Sequence, residues 1–215
     1  MYLQINGAQT FCHTGGKPFD AGQPSVVFIH GVLCDHSVWA LQSRHLAHHG
    51  WNVLAVDLPG HSRSGGEAPA SVEQAADFII ALLDTLGVQR AALVGHSWGS
   101  LIALEATARL GTRASHLVLV GTAFPMKVSP ALLESALNTP EKAIQMVNTF
   151  SRATLSPPNG AGSWVFGAGM ALGRRVLASN ANTNLLHAGF TACDSYAGGE
   201  AAMAAITCPV LFVLG

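Results

Sequence analysis

Residues 91–105 read AALVGHSWGSLIALE. The opening AALVG is a continuous apolar run of the kind that forms a strand buried on both faces. From Trp98 the apolar positions recur at helical spacing to near Leu110. Between the two lies Gly95-His96-Ser97-Trp98-Gly99. A serine on so sharp a strand-to-helix turn projects its Oγ above the sheet edge, at the cost of a strained backbone. The residues two before and two after it must be small, because Cβ atoms there would collide. Gly95 and Gly99 meet that need, and Ser100 keeps the next position small. A helix starting after Ser97 also aims free N–H groups and a positive dipole end at the site, which suits an oxyanion. Ser97 is the candidate nucleophile.

The flanking segments repeat the strand and helix alternation. Residues 2–6 and 9–13 straddle Gly7-Ala8 as an antiparallel hairpin. Apolar strands are expected at 25–30, 51–56, 116–121 and 208–214. Helices are expected at 37–49, stopped by Gly50, and from an N-cap at Ser71 to Leu86, stopped by Gly87. Buried Val/Leu/Ile runs separated by helices predict an α/β fold, a mostly parallel, doubly wound sheet covered on both faces. Residues 122–200 break this rhythm with Pro and Gly and with helical pieces near 130–152 and 180–190. The economical division is a core of 1–121 and 201–215 and a helical cap insertion over 122–200.

Composition narrows the function classes. The 215 residues are 49% hydrophobic and 11% charged, with a formal net charge of −1. So little basic charge argues against a nucleic-acid partner. A mean hydropathy of +0.35 raises the question of a membrane. However, the uncharged stretch 153–173, ATLSPPNGAGSWVFGAGMALG, is punctuated by Pro-Pro and five glycines like a loop rather than a span. The N-terminus lacks the basic and apolar regions of a secretory signal. Cys12, Cys34, Cys193 and Cys208 are scattered without CxxC spacing and read as reduced thiols. A cytoplasmic protein without a membrane span is the expectation.

A tetrahedral intermediate needs two donors. The segment His30-Gly31-Val32-Leu33 after strand 25–30 offers the second, with Val32 N–H joining Trp98 N–H and His30 packed behind to brace the loop. HGVLCDHSVW at 30–39, DLPGHSRSGG at 57–66, GHSWGS at 95–100 and CPVLFVLG at 208–215 together resemble the α/β-hydrolase fold superfamily. The likeness is greatest to small bacterial esterase-like members with a helical cap. The loop at 57–64 departs from the family pattern, with Ser62 where a second glycine is usual, and reads as a tolerated structural variant. A serine rather than an aspartate at 97 points away from epoxide hydrolases and dehalogenases.

The resemblance implies a serine hydrolase for a small or medium carboxylic ester, with no cofactor and no metal. A carbon–carbon bond hydrolase, a lactonase, a perhydrolase or a non-catalytic binding protein remains an alternative. It also places the triad acid just after strand 208–214 and the histidine after one further strand, so both are expected beyond Gly215. The 208–214 strand should then show an uncovered apolar edge. Phe124, Trp164, Phe166, Met170 and Phe190 are the candidate apolar pocket. The other clusters read as structural: Cys34-Asp35-His36, His45 with His49 on one helix face, and His96 inside the turn. His187 with Asp194 is the one substitute dyad the chain offers.

Overall fold

The computed structural model describes residues 1–20, 22–151 and 162–215, the side chains of 162–165 excepted. Strands β1 (Tyr2–Ile5) and β2 (Ala8–His13) form the antiparallel hairpin, and β3 (Ser25–Ile29) follows. A 3-10 turn at His36–Trp39 leads into α1 (Ala40–His48), and β4 (Asn52–Val56) and α2 (Val72–Thr85) come next. Ser71 caps α2 by accepting a hydrogen bond from Gln74 N–H, and Gly87 at φ +65° ends its turn. Then come β5 (Ala91–His96), α3 (Trp98–Leu110) and β6 (Ala114–Val120). Among the described residues five helices separate β6 from β7 (Val210–Val213): α4 (Pro130–Asn138), α5 (Pro140–Phe150), α6 (Gly162–Ala178), α7 (Leu185–Ser195) and α8 (Gly199–Ala204). Both α4 and α5 open on proline, whose missing N–H is harmless in a first turn.

The sheet order is β1-β2-β4-β3-β5-β6-β7, with β3 to β7 parallel. Side chains alternate between its faces. Val27, Ile29, Leu54, Val56 and Leu93 share a core with α2 and α3, whereas Val26, Phe28, Val53, Ala55 and Ala92 pack with Trp39 and Ala47 on the α1 side. Helix α3 is buried nearly all round, between the sheet and α2. A helix apolar on every side is stable only in such a place. Because β3 is flanked by β4 and β5, the chain reverses its winding there. The crevice at the carboxyl ends of β3 and β5 is where open α/β sheets bind ligands.

Two expectations are corrected. Of the stretch 153–173 read as a loop, 153–161 lie outside the described residues, and the remainder, from Gly162, belongs to helix α6. Its glycines admit neighbours: a Cβ on Gly169 would strike Asn148, and one on Gly173 would meet Ile144 and Leu33. Close approach to α5 offsets the poor helix propensity. Nor is the sheet covered evenly, since α1 is the one helix among the described residues packed on its side and Val94, Val118 and Val120 there are only half-buried. At the β7 edge Leu211, Phe212, Val213 and Leu214 are exposed. A second small core joins Leu33 to Ala136, Ile144, Met170 and Leu185 of the inserted helices, while Ala192, Cys193, Tyr196 and Ala202 belong to the main core. No helix among the described residues is long and apolar enough to cross a membrane.

Candidate active site

Register brings the site together. Ile29 is the partner of Gly95, so His30-Gly31-Val32 leaves β3 beside the point where His96-Ser97 leaves β5. Ser97 sits at φ +52°, ψ −123°, a conformation costing a non-glycine residue on the order of 1–3 kcal/mol. Neighbours hold it there. Its N–H donates to the Val120 carbonyl at 2.9 Å, and its own carbonyl accepts from Ser100 N–H at 2.8 Å and from Ser100 Oγ at 2.5 Å. The Ser97 hydroxyl caps nothing, and no hydrogen bond ties it to another described residue. A Cβ on Gly95 would run into the Gly99 carbonyl and lie 2.7 Å from Ser100 Cα; one on Gly99 would strike the Ile29 and His30 carbonyls. The two glycines therefore serve different contacts: Gly95 closes the elbow on itself, and Gly99 seats it on β3.

His30 is fully buried. Its Nε2 receives the Leu58 N–H at 3.1 Å and so is unprotonated, which leaves the ring proton on Nδ1 to donate to the Gly31 carbonyl at 2.9 Å. Burial also lowers the His30 pKa, keeping the ring neutral. Cys34 N–H donates to the same Gly31 oxygen at 3.2 Å. Across a trans peptide the N–H points opposite to the carbonyl, so these two donors turn the Val32 N–H outward. Neither Val32 N–H nor Trp98 N–H has a partner among the described residues, the latter because it opens a helix.

Two cavity lobes, of about 480 and 450 Å³, meet at Ser97 and share Val32, Val147 and Phe190. One runs to Met126, Leu132 and Met146, the other along the α5–α6 seam to Leu172 and Leu186. Of the expected pocket residues, Phe190 lines both lobes. Phe124 does not: its ring packs against Tyr196 at 6.0 Å and lines a separate groove with Phe212 and Leu214. Gly121, at φ +57°, lines one lobe; Thr122 to Phe124 then pass into that separate groove before Met126 to Ser129 return to line the other lobe. Met170 is buried in the small core of the inserted helices, with Phe166 packed against that core, so both support the pocket from behind. The Trp164 side chain lies outside the described residues. The missed lining residues Ile144 and Val147 belong to one apolar face of α5, legible from their spacing with Ala143.

The other titratable groups that the sequence singles out serve elsewhere in the fold, His96 excepted. His96 lines one lobe beside Gly31 and Gly121, and burial lowers its pKa. Asp194 accepts from Val128 N–H at 3.0 Å, and His187 N–H caps onto Asn184; the His187–Asp194 dyad is not formed. His49 Nδ1 lies 2.7 Å from the His45 carbonyl, occupying the ring inside its own helix. Asp35, His36 and Asp57 converge within 4.8 Å. Every carboxylate oxygen there already accepts a hydrogen bond, from Ser37, Ser62 and Arg175 at Asp35 and from His36 and Arg63 N–H at Asp57.

Burial alone would raise the Asp35 carboxyl, but the Ser37 hydroxyl and N–H and the Arg175 guanidinium outweigh it and bring the pKa from 3.8 down to about 2. A depressed carboxyl stabilises the fold at neutral pH and loses that contribution as pH falls from about 4 through about 2. Denaturant melts at pH 5 and pH 2 should show wild type losing on the order of 2 kcal/mol more than Asp35→Asn.

The sequence profile of the α/β hydrolase fold matches residues 24–175. The chain belongs to that family. Among curated relatives of this α/β hydrolase, lipase LipV of Mycobacterium tuberculosis is 32% identical over 150 residues, covering 64% of this chain and 55% of the lipase. An epoxide hydrolase of Caballeronia sordidicola is 36% identical over 86 residues, 39% of this chain and 26% of that enzyme. Matches of this kind span 26% to 55% of the relatives' own lengths. Among solved structures, the enol-lactonase from Burkholderia xenovorans LB400 superposes with a TM-score of 0.79 at 22% identity, covering 100% of this chain and 81% of that one. That likeness shows the fold of this α/β hydrolase.

Proposed function

We propose that this α/β hydrolase cleaves a small or medium apolar carboxylic ester through an acyl-enzyme on Ser97. The observation that carries the reading is a serine hydroxyl on a left-handed bend, next to two main-chain N–H groups, all three without a partner among the described residues, between two apolar lobes. Ser97 Oγ adds to the ester carbonyl and loses its proton to a base. The Val32 and Trp98 N–H groups take the oxyanion, and the alcohol leaves with a proton. Water then adds to the acyl-enzyme, and the carboxylic acid leaves as Ser97 regains its proton. One lobe would take the acyl group and the other the alcohol. No histidine or carboxylate among the described residues is hydrogen-bonded to Ser97, so the identity of the base and its acid is not part of the reading.

That same gap favours one second reading, a non-catalytic protein binding an apolar small molecule in the same cavity. A fluorophosphonate probe and a p-nitrophenyl acyl series, applied to the full product of the gene, separate the two. Covalent labelling at Ser97 with turnover of short esters is the expected result. A full-length protein that neither labels nor turns over any ester overturns the hydrolase reading.

A further inference from the structure

Ser62 occupies a backbone conformation, φ +51°, in which glycine is at ease and serine is strained. The residue there is not idle. Its Oγ donates to Asp35 Oδ2 at 3.1 Å and its N–H donates to Ser179 Oγ at 2.9 Å. Asp35, 1% exposed, also receives Arg175 from the last turn of α6 at 2.7 Å. Asn180, just past α6, adds a second tie to the loop that carries Ser62, donating to the Gly60 carbonyl at 3.1 Å. A buried carboxylate thus joins a core loop to the C-terminal end of α6.

The same helices hold the residues just before Asp35. The Leu33 side chain is buried in the small core of the inserted helices, against the bare face of α6 at Gly173. Val32 packs against α7, where a Cβ on Gly189 would come within 3.0 Å of both its methyl groups. Three of four successive side chains, at 32, 33 and 35, are therefore fixed by inserted helices, and the loop they belong to carries the Val32 N–H.

The geometry points to Ser62, Asp35 and Arg175 as positioning residues: a polar clamp that seats α6 on the core and through it sets the conformation of the 31–35 loop. Ser62→Gly is the sharpest test. It relieves backbone strain, so a residue that merely fills a turn would become neutral or stabilising on replacement. A clamp member would instead loosen both segments it joins.

Hydrogen-exchange mass spectrometry on the 215-residue chain reads this without reference to catalysis. In Ser62→Gly and in Arg175→Ala, exchange of the 31–35 and 174–180 segments should rise about tenfold, the factor that goes with one net hydrogen bond. Peptides from α2 and α3 should stay unchanged, and Arg175→Lys should recover part of the protection. Exchange at 31–35 within twofold of wild type in both variants overturns the proposal. A kinetic arm rests on the esterase reading. In the full gene product, normalised by active-site titration, kcat should fall with KM held, because the Val32 N–H acts on the transition state. An unchanged kcat overturns the link to Val32. A wild-type protein without ester turnover fails the esterase reading alone, and the exchange result still decides the clamp.

Discussion

Gly95→Ala and Gly99→Ala should each destabilise the fold severely. The new methyl of the first would overlap the Gly99 carbonyl and crowd Ser100 Cα, and that of the second would press on the Ile29 and His30 carbonyls. All of these are main-chain atoms in the middle of the sheet and at the start of α3, with no rotamer through which to escape. Overpacking against fixed backbone costs roughly 4 kcal/mol or more, against a total stability of about 5–15 kcal/mol. Urea melts, or the soluble yield where no transition is left, measure this. Gly167→Ala is the matched control, because nothing lies within 4 Å of its added Cβ and it is inside α6. There alanine should add about 0.5–1 kcal/mol. Equal melts for Gly95→Ala and wild type would mean that the bend is looser than described.

Ser97→Ala should leave the fold intact and remove the chemistry. The hydroxyl makes no hydrogen bond within the described protein, so its loss breaks no internal contact. Alanine keeps the same positive φ and therefore the same strain. Melting should shift by less than about 1 kcal/mol. Fluorophosphonate labelling should vanish, and ester turnover by the full gene product should fall by about 10⁴-fold or more. Retention of even a hundredth of the turnover would place the nucleophile elsewhere.

Much of the core was legible because its signals are local. A buried strand, two glycines and a helix start lie within nine residues of Ser97, and Ser71 and Gly87 mark the ends of α2 by capping chemistry alone. Helix α6 was not legible. Its glycines weaken it in isolation, and the reason they are tolerated, contact with Asn148, Ile144 and Leu33, lies in other segments. The pocket was half legible for a related reason. Composition marks Phe124, Phe166, Met170 and Phe190 alike as apolar, and only packing decides that Phe190 faces Ser97 while Phe124 lies against Tyr196. Ser62 showed as a departure from the family's glycine, but its meaning depends on Asp35 and on Ser179, far along the chain.

The neutral imidazole behind Gly31 has one more implication. Its single ring proton is committed to a carbonyl and its other nitrogen to an amide, and burial disfavours taking up a second proton. Mild acid that charges ordinary imidazoles would leave this scaffold undisturbed. On the proposed mechanism, the acidic limb of a rate profile would then report the base, not collapse of the loop that carries the Val32 N–H.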